Sequence, residues 1–442
     1  MTASERRALR GEIVSFDDDP RTSEHALRHF ADGLVVLEEG RVASVGDAAA
    51  LLPALPPATP VEDYRGRLIL PGFVDLHVHY AQTDIIASHG EQLPGWLERY
   101  AFPAERGFGD PRLARETAEF FLGELLRNGT TCAAVYATVH PQSADAIFAA
   151  AAARRMRLIA GKVMMDRNCP AFLCDTAQSS YDESKALIAR WHGRGRLAYA
   201  VTPRFAATSS EAQLEAAGSL LREHPGVLMQ THVAENRDEV ALVRRLFPSA
   251  RNYVDVYDRF GLLASPAVLA HGIWLDDAER LRLAAGGAAI AFCPSSNLFL
   301  GSGLFSYAKC HAAGVCAGLA TDVGAGTSLS MLRTMHEAHK VAQLLGEPFD
   351  ALDGFYLATL GAARALGKAE AIGSIAPGRE ADLVVLDPAA TPLMARRMAR
   401  AETLEERLFA LMMLGDERAV AAAYVLGEAA WRRSSSGLSD SS

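Results

Sequence analysis

Between residues 73 and 325 the chain alternates two kinds of segment. Short, almost wholly apolar runs end in a polar or ionisable cluster: Phe73–His79, Thr131–Ala137, Leu158–Asp166, Leu197–Arg204, Val227–His232, Val268–His271, Ala288–Cys293 and Val315–Asp322. Between them lie stretches such as Asp110–Leu126 and Ser210–Arg222, where apolar residues recur three and four positions apart. Near-continuous apolar runs suit strands buried on both faces, and the intervening period suits amphipathic helices covering them. Eight such units predict an α/β fold, a TIM-like (β/α)8 barrel. The polar run-ends then fall at the C-terminal rim, where loops build active sites. A doubly wound open sheet is the alternative, but it gives no reason for metal-capable side chains to gather at several run-ends.

The flanks have a different pattern. Gly11–Ser15, Gly33–Leu37, Arg41–Val45 and Leu68–Leu70 precede the barrel, and Ile372–Ile375, Ala381–Leu386 and Ala423–Leu426 follow it. These short extended runs, parted by turn residues, predict one composite β-sandwich-like domain from residues 1–71 and 373–431. The barrel then spans 72–372, and residues 432–442, rich in serine, glycine and charge, form a disordered tail.

Composition narrows the function. With 44 Lys plus Arg against 53 Asp plus Glu, the formal net charge is −9. That balance lacks the basic footprint of a nucleic-acid or anionic-membrane binder, and a small-molecule partner is expected instead. No window approaches 18 consecutive apolar residues, so no membrane-spanning helix is expected. Early Arg6, Arg7 and Arg10 are followed by Asp17–Asp19 and not by an apolar core, unlike a secretory signal. The six cysteines, at 132, 169, 174, 293, 310 and 316, form no CxxC pair. They read as reduced thiols of a cytoplasmic protein.

The sharpest chemical feature is Asp75-Leu76-His77-Val78-His79. On a strand, residues two apart share a face, so the two imidazoles converge. Neutral imidazoles so placed suit Zn²⁺ or a related ion, although HxH alone is weak evidence. His232, His271 and Asp322 strengthen it, because each closes another apolar run. Two histidines of one strand, a third histidine and an aspartate leave a metal position for water, which becomes hydroxide near neutral pH. Asp322 can accept the water's proton. Glu235, three residues beyond His232, is placed either to carry a proton to substrate or as a surface carboxylate of the charged run Glu235–Glu239.

The run Pro71–His79 resembles the opening strand of the amidohydrolase superfamily. Further stretches resemble the guanine deaminases within it: Trp96–Tyr100 with Phe102–Glu105, Gly161–Asp166, Thr202–Phe205, Thr231–Val240, Ser296–Leu298 and Gly318–Gly324. The similarity runs from about residue 65 to 430. The resemblance implies zinc-dependent hydrolytic deamination of guanine to xanthine and ammonia, with metal-activated hydroxide attacking C2. His77, His79, His232 and Asp322 would hold one Zn²⁺ per chain, with Fe²⁺ an alternative, and His271 would be a ligand or a hydrogen-bond partner. Glu235, Asp322 and His271 would be catalytic. Gln82, Arg204 and Phe205 would read the base, with His232 and Glu235 also bordering it, and a homodimer is implied.

The sequence departs from the family pattern at Leu76, Ala81, Ala325 and Phe292, where histidine is usual. Two other readings stand beside this one: a deaminase of 8-oxoguanine, a pterin or a triazine, or an assembly protein that has lost its metal chemistry. The segment Gln92–Glu105, with Trp96, Tyr100 and Phe102, reads equally as a lid over a base or as plain packing.

Overall fold

The computed structural model describes residues 6–90, 92–264 and 266–434. Eight parallel strands form a nearly closed barrel: Phe73–His79, Thr130–Tyr136, Arg157–Gly161, Leu197–Pro203, Leu228–Val233, Ala267–His271, Ala289–Phe292 and Cys316–Leu319. A two-residue strand, Val163–Met164, pairs separately with the fourth. The last barrel strand approaches the first through the chain that follows it. Asp322 N donates to His77 O at 2.9 Å, and His79 N donates to Val323 O at 2.7 Å.

The alternation of side chains along these strands builds two apolar layers. Ala133, Val135, Leu158, Ala160, Val201, Met229, Leu269, Ile290 and Phe292 pack in one cluster with the covering helices. Cys132, Ala134, Ile159, Ala200, Leu228, Val268, Ala270 and Ala291 form another. The second layer mixes small residues with Ile159, Leu228 and Val268. Gly161 marks a close approach of two neighbouring strands, since a Cβ there would lie 1.8 Å from Ala200 O.

The helices begin where local chemistry sets them. Asp110 accepts from Arg112 N, and Pro111 opens the helix Pro111–Arg127. Asn236 and Glu239 form a reciprocal capping box at Arg237–Leu246. That box lies directly after Glu235, so helix initiation also fixes the backbone of a candidate site residue.

Both chain ends contribute to one seven-stranded mixed sheet. Its order is Glu428–Arg432, Val420–Val425, Leu383–Leu386, Val61–Pro71, Arg7–Phe16, Leu27–Glu38 and Arg41–Asp47. The expected run Ile372–Ile375 is not a strand. Gly373 has a φ of +86°, and Ile375 N donates to Ser15 Oγ at 2.8 Å, so this segment bends to meet the sheet. The final strand extends through Arg432, which donates to Glu62 at 2.6 Å. Arg433 N also donates to Ala421 O at 3.0 Å, against the expectation of a disordered tail from residue 432, and residues 435–442 of that tail lie outside the described residues.

A buried ion network joins this sheet to the barrel floor. Arg157 Nη2 lies 2.5 Å from Glu380 Oε1, and Arg196 Nη2 lies 2.8 Å from Glu380 Oε2. Arg196 also pairs with Asp382, whose Oδ1 accepts from Leu426 N at 2.9 Å. No helix among the described residues is long and apolar enough to cross a membrane.

Candidate metal and active site

Six ionisable side chains from four separate strand ends meet at the barrel mouth. His77 and His79 project from the first strand with Nε2 atoms 3.1 Å apart, and His232 Nε2 lies 3.3 Å from His79 Nε2. Asp322 Oδ1 is 3.1 Å from His77 Nε2 and 3.5 Å from His79 Nε2. Its other oxygen lies 3.7 Å from His271 Nε2, which is 3.3 Å from Glu235 Oε2. Asp322 has a φ of +50°, a left-handed conformation uncommon outside glycine. Such strain persists only where surrounding contacts enforce it, and it concentrates at functional sites.

Burial keeps these imidazoles neutral. His77, His79 and His232 are held well below the ordinary histidine range, first by desolvation and then by neighbouring positive charge. His271 is lowered as well, chiefly by desolvation. Two tautomers follow from their partners. His232 Nδ1 donates to Arg204 O at 2.7 Å, and His271 Nδ1 donates to Asn297 Oδ1 at 2.8 Å. Each Nε2 therefore presents a lone pair to the centre.

Three imidazole nitrogens and a carboxylate oxygen converging without a proton to share form a cation-seeking set. Ligands about 2.0–2.1 Å from a tetrahedral Zn²⁺ lie roughly 3.3 Å from one another. The observed separations match that spacing. Two groups, His77–His79–His232 and His77–His271–Asp322, satisfy the arrangement of a metal site. The residues present fit a divalent ion.

The carboxyls beside this set differ from ordinary surface acids. Desolvation, followed by the charge of Asp322, pushes Glu235 up to about 8. Ser302 Oγ donates to Glu235 Oε1 at 3.3 Å. Glu235 is therefore a buried acid and not a solvated member of its charged run. Behind it, Glu239 accepts from the backbone N–H groups of Glu235 and Asn236 at 2.9 and 3.0 Å, and from Tyr253 at 2.5 Å. Asp75 is no closer partner of the set. It accepts from Thr321 N at 3.0 Å and His77 N at 3.2 Å, pinning the first and last strands together.

The cavity above the cluster is lined by His79, Gln82, Trp96, Arg204, Phe205, His232, Glu235, His271 and Asp322, with Leu93, Leu97 and Leu300 as apolar walls. All the expected site residues except His77 line it, and His77 lies beneath. Arg204 Nη1 donates to both oxygens of Glu105, at 2.9 and 2.7 Å. Gln82 Nε2 donates to the same carboxylate at 2.8 Å, while Gln82 Oε1 accepts from Gly324 N at 3.3 Å. Glu105 thus organises both polar base-reading candidates, a role that sequence reasoning missed although its motif was noted. The signal was an acid amid Trp96, Tyr100 and Phe102, which only burial makes meaningful. Ser302, Asn297 and Glu239 were likewise not assigned.

Phe292 does not line the cavity. It packs against Phe305, ring centroids 4.8 Å apart, on the side facing the helices. The substitution at this position therefore sits behind the site and not within it.

The amidohydrolase family model matches residues 68–430. Guanine deaminase of Escherichia coli K12 is 48% identical over 430 residues, covering 97% of this chain and 98% of that protein. The solved structure of the E. coli guanine deaminase superposes with a TM-score of 0.95, covering 97% of this chain and 100% of that one. A guanine deaminase from C. acetobutylicum, solved with guanine bound in its active site, is 28% identical. It superposes with a TM-score of 0.86, covering 96% of this chain and 99% of that one.

Proposed function

The chain belongs to the amidohydrolase family, and we infer that it is an enzyme that deaminates guanine hydrolytically, giving xanthine and ammonia. The observation that carries this reading is the meeting, in one cavity, of a cation-seeking cluster with the Glu105–Arg204–Gln82 clamp.

In this reading His77, His79, His232 and Asp322 hold one divalent ion per chain, and His271 stands beside it. Zinc suits this donor set, and ferrous iron accepts the same ligands. When bound, such an ion supplies the Lewis acidity that makes water nucleophilic near neutral pH.

The remaining steps fall to the protein's own side chains. Asp322 takes the proton from the attacking water. Glu235, kept protonated near neutral pH by burial, donates to a ring nitrogen adjacent to C2 as the water oxygen bonds to that carbon. The proton from water then passes to the 2-amino group, the C2–N bond breaks, and ammonia leaves. The C2 hydroxyl, which still carries the second proton of water, gives it to the Glu235 carboxylate as the carbonyl of xanthine forms, and Glu235 returns to its acid form. His271, with its Nδ1 proton committed to Asn297, accepts a hydrogen bond through Nε2 and keeps water and Glu235 aligned.

Arg204 and Gln82 hold the polar edge of the base. Glu105 fixes Arg204 Nη1, and the rest of the guanidinium fork remains to donate to purine acceptors such as O6 and N7. Phe205 offers a ring for stacking. This reading also includes a cytoplasmic location, supported by six free thiols that suit a reducing compartment. A homodimer is part of it too, for which sedimentation velocity is the test.

Steady-state rates with guanine, 8-oxoguanine, a pterin and a triazine test the substrate. Guanine is expected to lead in kcat/KM. A preference of about tenfold for any of the others, equivalent to about 1.4 kcal/mol, overturns the reading.

A further inference from the structure

We propose that Trp96 is a specificity residue that touches the substrate, its indole N–H donating a hydrogen bond to an acceptor atom of the bound purine. The inference deepens the guanine reading and rests on it. Trp96 lines the same cavity as Gln82, Arg204 and Phe205 and is 2% exposed. Its Nε1 is buried and has no hydrogen-bond partner among the described residues. A buried indole N–H ordinarily finds a partner, and leaving one unmade costs the full desolvation of the group. An unpartnered donor on a residue that lines a cavity, beside a base-reading arginine, is what a site for a polar ligand leaves behind.

The surroundings hold the ring without using its nitrogen. Leu93, Ala101, Leu300 and Ala325 pack in one cluster with it, and the Tyr100 ring centroid is 6.5 Å away. Part of the polar capacity nearby is engaged within the protein: one Nε2–H and the Oε1 of Gln82 and the Nη1 of Arg204 have partners, which leaves the second Gln82 N–H and the rest of the Arg204 fork for the base. Guanine carries acceptors at O6 and at its ring nitrogens, so it can use a further donor.

The backbone places Trp96 deliberately. It ends the helical turn Leu93–Trp96, and the π-helical turn Leu97–Ala101 follows, leading to Phe102–Arg106 and hence to Glu105. Single π turns inside helices recur at functional sites. One continuous stretch therefore delivers both the direct donor and the carboxylate that orders Arg204 and Gln82. The segment acts in base recognition as well as packing.

The test uses full-length, metal-loaded enzyme. Trp96→Phe keeps an aromatic ring and removes the donor. It is expected to raise KM for guanine about tenfold and to leave kcat within about threefold. Packing alone can also move KM, so the nitrogen is observed directly. The protein has four tryptophans, and the indole ¹⁵N–¹H signal absent from Trp96→Phe, or from Trp96→Tyr should that variant fold better, identifies Trp96. Hypoxanthine keeps the purine acceptors and lacks the 2-amino group. At saturation, judged by inhibition of guanine turnover, it is expected to move that proton downfield. An unchanged KM in Trp96→Phe, or an unmoved Trp96 signal in hypoxanthine-saturated wild type, overturns the proposal. Failure of wild type to turn over guanine would instead defeat the substrate reading, a separate observation.

Discussion

Two buried polar clusters lie at opposite ends of the barrel, and they solve the problem of burying charge in opposite ways. At the floor, the guanidinium groups of Arg157 and Arg196 face the carboxylates of Glu380 and Asp382, with a backbone N–H completing Asp382. At the mouth, Asp322 and Glu235 face four imidazoles that burial keeps neutral, and Arg204 is already matched to Glu105. The floor is complete as a set of matched ion pairs and holds the sheet to the barrel. The mouth lacks positive charge, so it attracts a cation from solution and pushes its carboxyls toward their protonated forms. Equal burial thus gives a structural joint in one place and a reactive site in the other.

The largest expected effect on this contrast comes from Glu235→Gln. Removing only the proton carrier should lower kcat by roughly 10²–10⁴-fold with metal content unchanged, and wild-type kcat in this variant removes Glu235 from the mechanism. At the floor, Arg196→Met leaves Asp382 and Glu380 without a cation they depend on. Denaturant titration should show a loss of about 3–5 kcal/mol, while kcat per folded enzyme stays at the wild-type value. If that variant were as stable as wild type but inactive, the division between the two ends would be wrong.

Glu105→Gln should have a smaller effect. It loosens Arg204 and Gln82, so KM for guanine is expected to rise about tenfold with kcat within about threefold. The pH dependence is the subtlest. Glu235 must be protonated to donate, and its carboxyl is pushed up to about 8 by burial and by Asp322. Rising pH therefore removes activity as the proton is lost. A divalent ion favours the carboxylate, so the descending limb of kcat belongs at or below that value. A profile flat well above pH 8 would contradict the assignment.

The sequence and structure agree best where the physics is local. All eight barrel strands were legible as apolar runs, because a parallel sheet buried on both faces leaves an almost uninterrupted signature. His77 and His79 were legible from period two, and His232, His271 and Asp322 from ending their runs. Strand ends were less so: Asp322 lies three residues beyond Leu319, in a left-handed turn that no apolar pattern marks. The strand Glu428–Arg432 was missed because its residues, Glu-Ala-Ala-Trp-Arg, are exposed apart from a half-buried Trp431 and so give no alternating core-facing signal.

Partner choice was hidden as well. Glu105, Ser302 and Asn297 acquire their roles across long sequence separations, and nothing local distinguishes such residues from solvated ones. The tetrad at the floor was invisible for the same reason. The resemblance to the amidohydrolase superfamily supplied the base-reading candidates Gln82, Arg204 and Phe205, which residue type alone did not separate from salt-bridging and core roles.

The central claim is that the mouth is short of positive charge until a divalent ion joins it. Metal analysis coupled to guanine turnover on one sample tests this most directly: as purified, after exhaustive chelation, and after stepwise return of Zn²⁺. Turnover should vanish with the ion and return in proportion, saturating at about one ion per chain. Undiminished conversion of guanine by chelated protein holding almost no metal would contradict it.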